Sequence, residues 1–219
     1  MPAEGALCGG GPMDISLIET LRFEPESGFV RLERHLARLA ASAEALGLAN
    51  ADRAAQALAD AVSPKPKTPL RVRLELFADG RIEVKTAPFA PLPRDAVWTV
   101  KIGRTRLASA DPLLRHKTSR RAAYEAARAE FAAGEADEVI LLNEHGEICE
   151  GTITSIFLDD GSGILRTPPL SCGLLAGVLR AELLESGHAH EARLRPEDLH
   201  GHTFFMGNSL RGLIPAILA

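Results

Sequence analysis

A mixed α/β fold in two lobes is predicted by this chain on three observations. Nearly half of its 219 residues are apolar, 46%, which is enough for an ample core in one domain or two compact lobes. Short apolar, β-branched runs are interspersed with amphipathic helical stretches, the element order of an α/β or α+β chain. That order also divides the chain: a flexible lead-in over 1–14, an N-terminal lobe over 15–101, a linker over 102–112, and a C-terminal lobe over 113–219.

The lead-in, MPAEGALCGGGPMD, has no apolar period. Arg31 to Leu39 opens an amphipathic helix whose Leu32, Leu36, Leu39 and Ala40 share one face. Arg31 and Arg34 read as its solvated side, and His35 as a packed histidine. Ala51 to Ala61 is an alanine-rich helix, Ser63 to Pro69 a proline-punctuated loop, and Leu70 to Phe77 and Arg81 to Thr86 are strands. A basic run, Arg115-His116-Lys117, precedes a helix from Ala122 to Ala133. Glu138 to Leu142 has the continuous apolar character of a buried strand, Asn143-Glu144-His145-Gly146 is turn chemistry, and Ile153 to Leu158 resumes strand composition. The hairpin so formed delivers Glu150, with Gly151, to the start of an apolar strand, where the pair should interrupt the ladder. Burying that carboxylate costs several kcal/mol unless a cation meets it. A glycine at 177 leads into a helix from Val178 to Glu185.

Several classes are excluded. The net charge is −4 and the basic residues are dispersed, so there is no electrostatic case for nucleic acid. No apolar run approaches a membrane span and the N-terminus lacks a basic stretch followed by an apolar core, which points to the cytoplasm. Cys8, Cys149 and Cys172 have no metal-type spacing and read as small thiols without a disulfide framework. The pairs His188/His190 and His200/His202 lie in a polar segment with no completing thiolate or carboxylate, so no metal site is expected.

Four segments follow one another in a telling order: His35-Leu36-Ala37-Arg38-Leu39, then Lys117-Thr118-Ser119-Arg120-Arg121, then Glu150-Gly151, then Gly177-Val178-Leu179-Arg180. Together they resemble the fold-type IV pyridoxal phosphate enzymes, the class IV aminotransferase family that includes branched-chain and D-amino acid aminotransferases and aminodeoxychorismate lyase. The resemblance runs over about residues 15 to 218. It implies a two-lobed fold with the cofactor between the lobes, and a homodimer in which loops of the partner close the site. Lys117 would carry the covalent link to the cofactor, with its amine pKa lowered by burial and nearby cations. Glu150 would face the pyridine nitrogen and keep it protonated. Arg38 would hold the phosphate, with Gly177 permitting close backbone approach and the Val178 and Leu179 amides donating at a helix N-terminus. Thr154, Ser155 and Asn208 are implied as further cofactor contacts.

Within the family, Asn208-Ser209-Leu210 with Pro215 looks more like the lyases than the aminotransferases, and so does the Lys117, Thr118, Arg121, Tyr124 pattern. The implied activity is conversion of 4-amino-4-deoxychorismate, a small amino substrate, to 4-aminobenzoate and pyruvate, a step of folate synthesis. Thr20 would relay a proton, and Arg22, Ser209 or Arg211 would bind the substrate. An amino acid aminotransferase is the alternative, and a non-catalytic relative ranks last. The family's opening G-D-G-x-F-E motif is absent, and Ser155 stands where the family has asparagine.

Overall fold

The computed structural model describes residues 15–219, so the lead-in over 1–14 lies outside the described residues. Strands β1 (Leu17–Glu24), β2 (Gly28–Phe29), β3 (Leu70–Leu76) and β4 (Ile82–Pro88) form an antiparallel sheet in the order β2-β1-β3-β4. Strand alternation gives this sheet two unlike faces. Leu17, Leu21, Val72, Leu74 and Leu76 are buried in one cluster with Leu39, Ala43 and Leu58 of helices α1 (Leu32–Leu46) and α2 (Ala54–Ala61). The opposite parity carries Ile18, Thr20 and Arg22, paired in register with Glu75, Arg73 and Arg71. Helix α1 stops at Gly47, whose φ of 70° is the left-handed conformation that glycine adopts without strain. The expected alanine-rich helix begins as a 3-10 turn over Ala51–Arg53 before α2.

The second lobe is an eight-stranded mixed sheet. Its strands are β5 (Trp98–Leu107), β6 (Glu138–Asn143), β7 (Ile148–Gly151), β8 (Ser155–Asp159), β9 (Leu165–Thr167), β10 (Ala189–Glu191), β11 (Thr203–Asn208) and β12 (Gly212–Leu218), in the order β10-β9-β8-β11-β12-β5-β6-β7. One face packs Ile140, Ile148, Ile156, Leu158, Phe204 and Met206, and the other packs Val139, Leu141, Cys149 and Leu174 beside helix α3 (Ala122–Ala129). Helix α3 ends earlier than its composition suggests because Glu130 turns back to accept from the Arg104 and Thr105 amides of β5. Helix α4 (Val178–Glu185) covers the β11 side.

Two expectations need correction. Residues 102–107, expected as linker, belong to β5, which pairs in parallel with both β12 and β6; Lys101, Arg104 and Arg106 mask the apolar signal of Val100, Ile102 and Leu107. The crossing between lobes falls instead at 89–97, which has no regular structure. Glu150 does not open the following strand. It is the third residue of β7, opposite Leu141, and the 151–154 turn, closed by the Gly151 amide on the Thr154 carbonyl at 2.7 Å, carries the chain to β8 beside β11 and β9. No helix among the described residues is long and apolar enough to cross a membrane.

Candidate active site

The outward face of the small sheet, the loop before α3, the turn after β7, the start of α4 and the loop after β11 enclose a cleft of about 600 Å³. Seven arginines and Lys117 line it against only Asp111 and Glu150, so the cleft is built for anions.

Lys117 is tied to the first lobe through its backbone: the Ile18 amide donates to its carbonyl at 2.7 Å, and Leu17 bridges Thr118. Its amine has no hydrogen bond or ion pair among the described residues. Burial pushes that amine down, and the charges of Arg38 and Arg121 push the same way, to about 8, against the pull of Glu19 and Glu150. Glu150 is 4% exposed. Its Oε1 accepts from the Tyr124 hydroxyl at 2.8 Å and the Leu175 amide at 3.0 Å, while Oε2 accepts nothing among the described residues. Burial raises Glu150 to about 7 in spite of those two donors, Lys117 and Arg121. Tyr124 is pushed up by burial and by Glu150, so it remains a donor, and the Arg121 guanidinium lies 4.9 Å from its ring centroid.

At the other end of the cleft Gly177 is the N-cap of α4. The Val178 and Leu179 amides precede the first helical bond, Ala181 N to Gly177 O at 2.9 Å. A Cβ on Gly177 would come within 2.8 Å of Ser155 Oγ, so the hydroxyl and the helix start share one small space. Arg38 reaches the same loop, donating to the Ala176 carbonyl at 3.1 Å. Its remaining geometry is set by Glu19, which accepts from Arg38 Nε at 2.8 Å and Nη2 at 2.6 Å and also contacts His35 Nδ1 at 2.6 Å. Burial would raise Glu19, but Arg38 and His35 outweigh it and bring it to about 2.

Thr20 and Arg211 line the cleft, as does Asn208, whose amide is occupied with the Ile153 carbonyl and the Arg211 amide. Thr154 and Ser209 line the cleft as well, with their hydroxyls already engaged. The Thr154 hydroxyl donates to Glu138 at 2.8 Å. The Ser209 hydroxyl meets His35 Nε2 at 2.8 Å and braces α1. Arg22 sits outside the cleft beside Phe89, with Nε 3.0 Å from Glu24 yet without hydrogen-bond geometry. Three participants went unread: Glu19, Glu138 and Arg71. Parity was the signal for two of them, since Glu19 shares the parity of the core residues Leu17 and Leu21, whereas Arg71 has the opposite parity to the core residue Val72 and faces the cleft.

An unpartnered amine, a buried carboxylate with one open oxygen, and a cradle of arginine, hydroxyl and helix amides fit the aldehyde, ring nitrogen and phosphate of pyridoxal phosphate. Fold and site together thus define a pyridoxal phosphate-dependent enzyme with the two-lobed fold-type IV architecture. The sequence profile of the Amino-transferase class IV family matches residues 16–218, and the chain belongs to that family. It is 52% identical to a structure from Mesorhizobium loti provisionally named an amino-acid aminotransferase, covering 94% of this chain and 100% of the other with a TM-score of 0.91. A Schizosaccharomyces pombe protein provisionally named aminodeoxychorismate lyase is 30% identical over 212 residues, 93% of this chain and 89% of that one. The 4-amino-4-deoxychorismate lyase of Pseudomonas aeruginosa is 25% identical, covering 93% of this chain and 82% of its own, with a TM-score of 0.77.

Proposed function

We propose that the chain is a pyridoxal phosphate-dependent lyase that converts 4-amino-4-deoxychorismate to 4-aminobenzoate and pyruvate, acting as a homodimer. The observation that carries this reading is a pair of arginines. Arg73 is matched by Glu75 at 2.9 Å and Arg38 by Glu19, but Arg71 and Arg211 line the cleft without a carboxylate partner among the described residues. Burial and the neighbouring Arg71 push Arg211 down, against the pull of Glu138. Aminodeoxychorismate has two carboxylates for such a pair to meet.

Bound pyridoxal phosphate supplies an electron sink for the bond-breaking at the substrate carbon. Arg38, Ser155 and the Val178 and Leu179 amides hold the phosphate. Glu150, oriented by Tyr124, keeps a proton on the ring nitrogen. Lys117 would take the proton from the carbon bearing the substrate amine. Its lowered pKa leaves a useful fraction neutral near physiological pH. Loss of the three-carbon group as its enol aromatises the ring, and Lys117 or Thr20 delivers the proton that completes pyruvate.

An amino acid aminotransferase is the second reading, favoured by the name of the Mesorhizobium loti relative. Incubating the loaded enzyme with aminodeoxychorismate and no keto acid separates the two. Formation of 4-aminobenzoate, absent with Lys117→Ala, supports the lyase. Turnover only with an amino acid and keto acid pair replaces it.

A further inference from the structure

We propose that Glu138, a buried residue with no part in the reaction above, is the positioning residue for Glu150. The proposal rests on the reading that Glu150 faces the cofactor. Glu138 is fully buried at the start of β6, with no ion pair to its carboxylate among the described residues and Arg211 acting on it only from farther off. Five donors converge on its two oxygens: the amides of Val139 (2.9 Å), Thr152 (3.0 Å) and Ile153 (3.1 Å), and the hydroxyls of Thr152 (2.5 Å) and Thr154 (2.8 Å). Both oxygens are thus fully engaged as acceptors. Four of the five come from the turn that follows Glu150. A Cβ on Gly151 would come within 2.9 Å of the Glu138 carboxyl carbon, so the absence of a side chain there lets the carboxylate lie directly beneath the turn.

The turn in turn sets the groups on Glu150. The Thr152 carbonyl accepts from Arg121 Nη2 at 2.7 Å, Arg121 lies over the Tyr124 ring, and Tyr124 donates to Glu150. Glu138 therefore acts on Glu150 through four contacts in series, without touching the cofactor. The same anchoring fixes Ser155, the residue after Thr154, at the cradle below Gly177.

Two measurements test this on wild type, Glu138→Gln and Thr154→Val. One is hydrogen–deuterium exchange of the cofactor-free protein, and the other a pyridoxal phosphate titration read by absorbance across pH. Glutamine turns one acceptor into a donor facing the turn. The Thr152 and Ile153 amides should then exchange at least about tenfold faster, the dissociation constant should rise about tenfold or more, as for loss of one charge-assisted hydrogen bond, and the pH midpoint of the bound-cofactor band should move. Thr154→Val, which removes one donor and keeps the charge, should shift all three the same way by less. An unchanged dissociation constant and band in Glu138→Gln, whatever the exchange rates, would reduce Glu138 to a fold determinant and overturn the proposal. If that variant does not fold, Thr154→Val decides, and a wild-type affinity and band there overturn it equally. Wild-type protein that binds no pyridoxal phosphate refutes the site reading itself, before any variant is compared.

Discussion

Glu150→Gln should disable the enzyme and stabilise its cofactor-free form. Burial lifts the Glu150 carboxyl from an ordinary value near 4.5 to about 7. Its proton is held more tightly in the folded than in the unfolded chain, so its contribution to stability is complete below pH 4.5 and is lost as the pH rises through 7. At 1.36 kcal/mol per pH unit, the ionised carboxylate costs the fold about 3 kcal/mol at pH 8. Glutamine keeps an oxygen for Tyr124 and the Leu175 amide and has no charge to bury. The attraction for Lys117 already lies within the pKa of about 7, so the net gain is about 3 kcal/mol. A chain of this size gains about 2–4 °C per kcal/mol, so the variant should melt roughly 6–12 °C above wild type at pH 8, with the difference vanishing near pH 4.5. Scanning calorimetry of both proteins, stripped of cofactor and compared across that range, is the assay. An equal or lower melting temperature at pH 8, or a difference that ignores pH, would refute the reasoning.

Gly151→Ala would place a methyl 2.4 Å from Thr154 Oγ1, 2.8 Å from Met206 Cε and 2.9 Å from Glu138 Cδ. Overpacking of this kind should destabilise by about 3 kcal/mol. Gly161→Ala, where a Cβ meets nothing but φ is +83°, should lose only about 1 kcal/mol; thermal melts of the two variants make the comparison. Glu19, held near 2 by Arg38 and His35 against burial, contributes stability that is complete above about pH 4.5 and is lost as the pH falls toward 2. Acid-unfolding curves should show that limb in the wild type, while Glu19→Gln should be less stable at pH 7 and lack it.

The two-lobed α/β fold was legible because its strands and helices are locally consistent, and helix Val178–Glu185 has the bounds its sequence suggests. Lys117, Glu150, Arg38 and the start of α4 are far apart in the chain yet line one cleft or its immediate wall, and it was the order of their segments, through the family resemblance, that singled them out. What the sequence did not convey is how side chains of the cleft are engaged by partners elsewhere in the chain. The Ser209 hydroxyl meets His35, 174 residues away, and the Thr154 hydroxyl a carboxylate 16 residues earlier. Arg22 and Arg71 are cross-strand partners on the same sheet face, but Arg22 lies toward the strand end and over Phe89, a difference of position that parity cannot convey. Strand β5 escaped notice because its charged residues are partly or fully exposed and hide the apolar rhythm between them.

The stitch between the first strand and the lysine segment has an evolutionary corollary. Ile18 bonds to the Lys117 carbonyl, and the Ser119 amide bonds back to the Ser16 carbonyl, so the residues flanking Lys117 are held as a short extension of the smaller sheet. The Lys117 backbone is therefore tied to one lobe, whereas Glu150 belongs to the other. Chimeras that exchange whole lobes between relatives would separate Lys117 from its anchor. Successful crossovers must carry residues 15–18 together with 117–119, which makes this pairing the unit of inheritance.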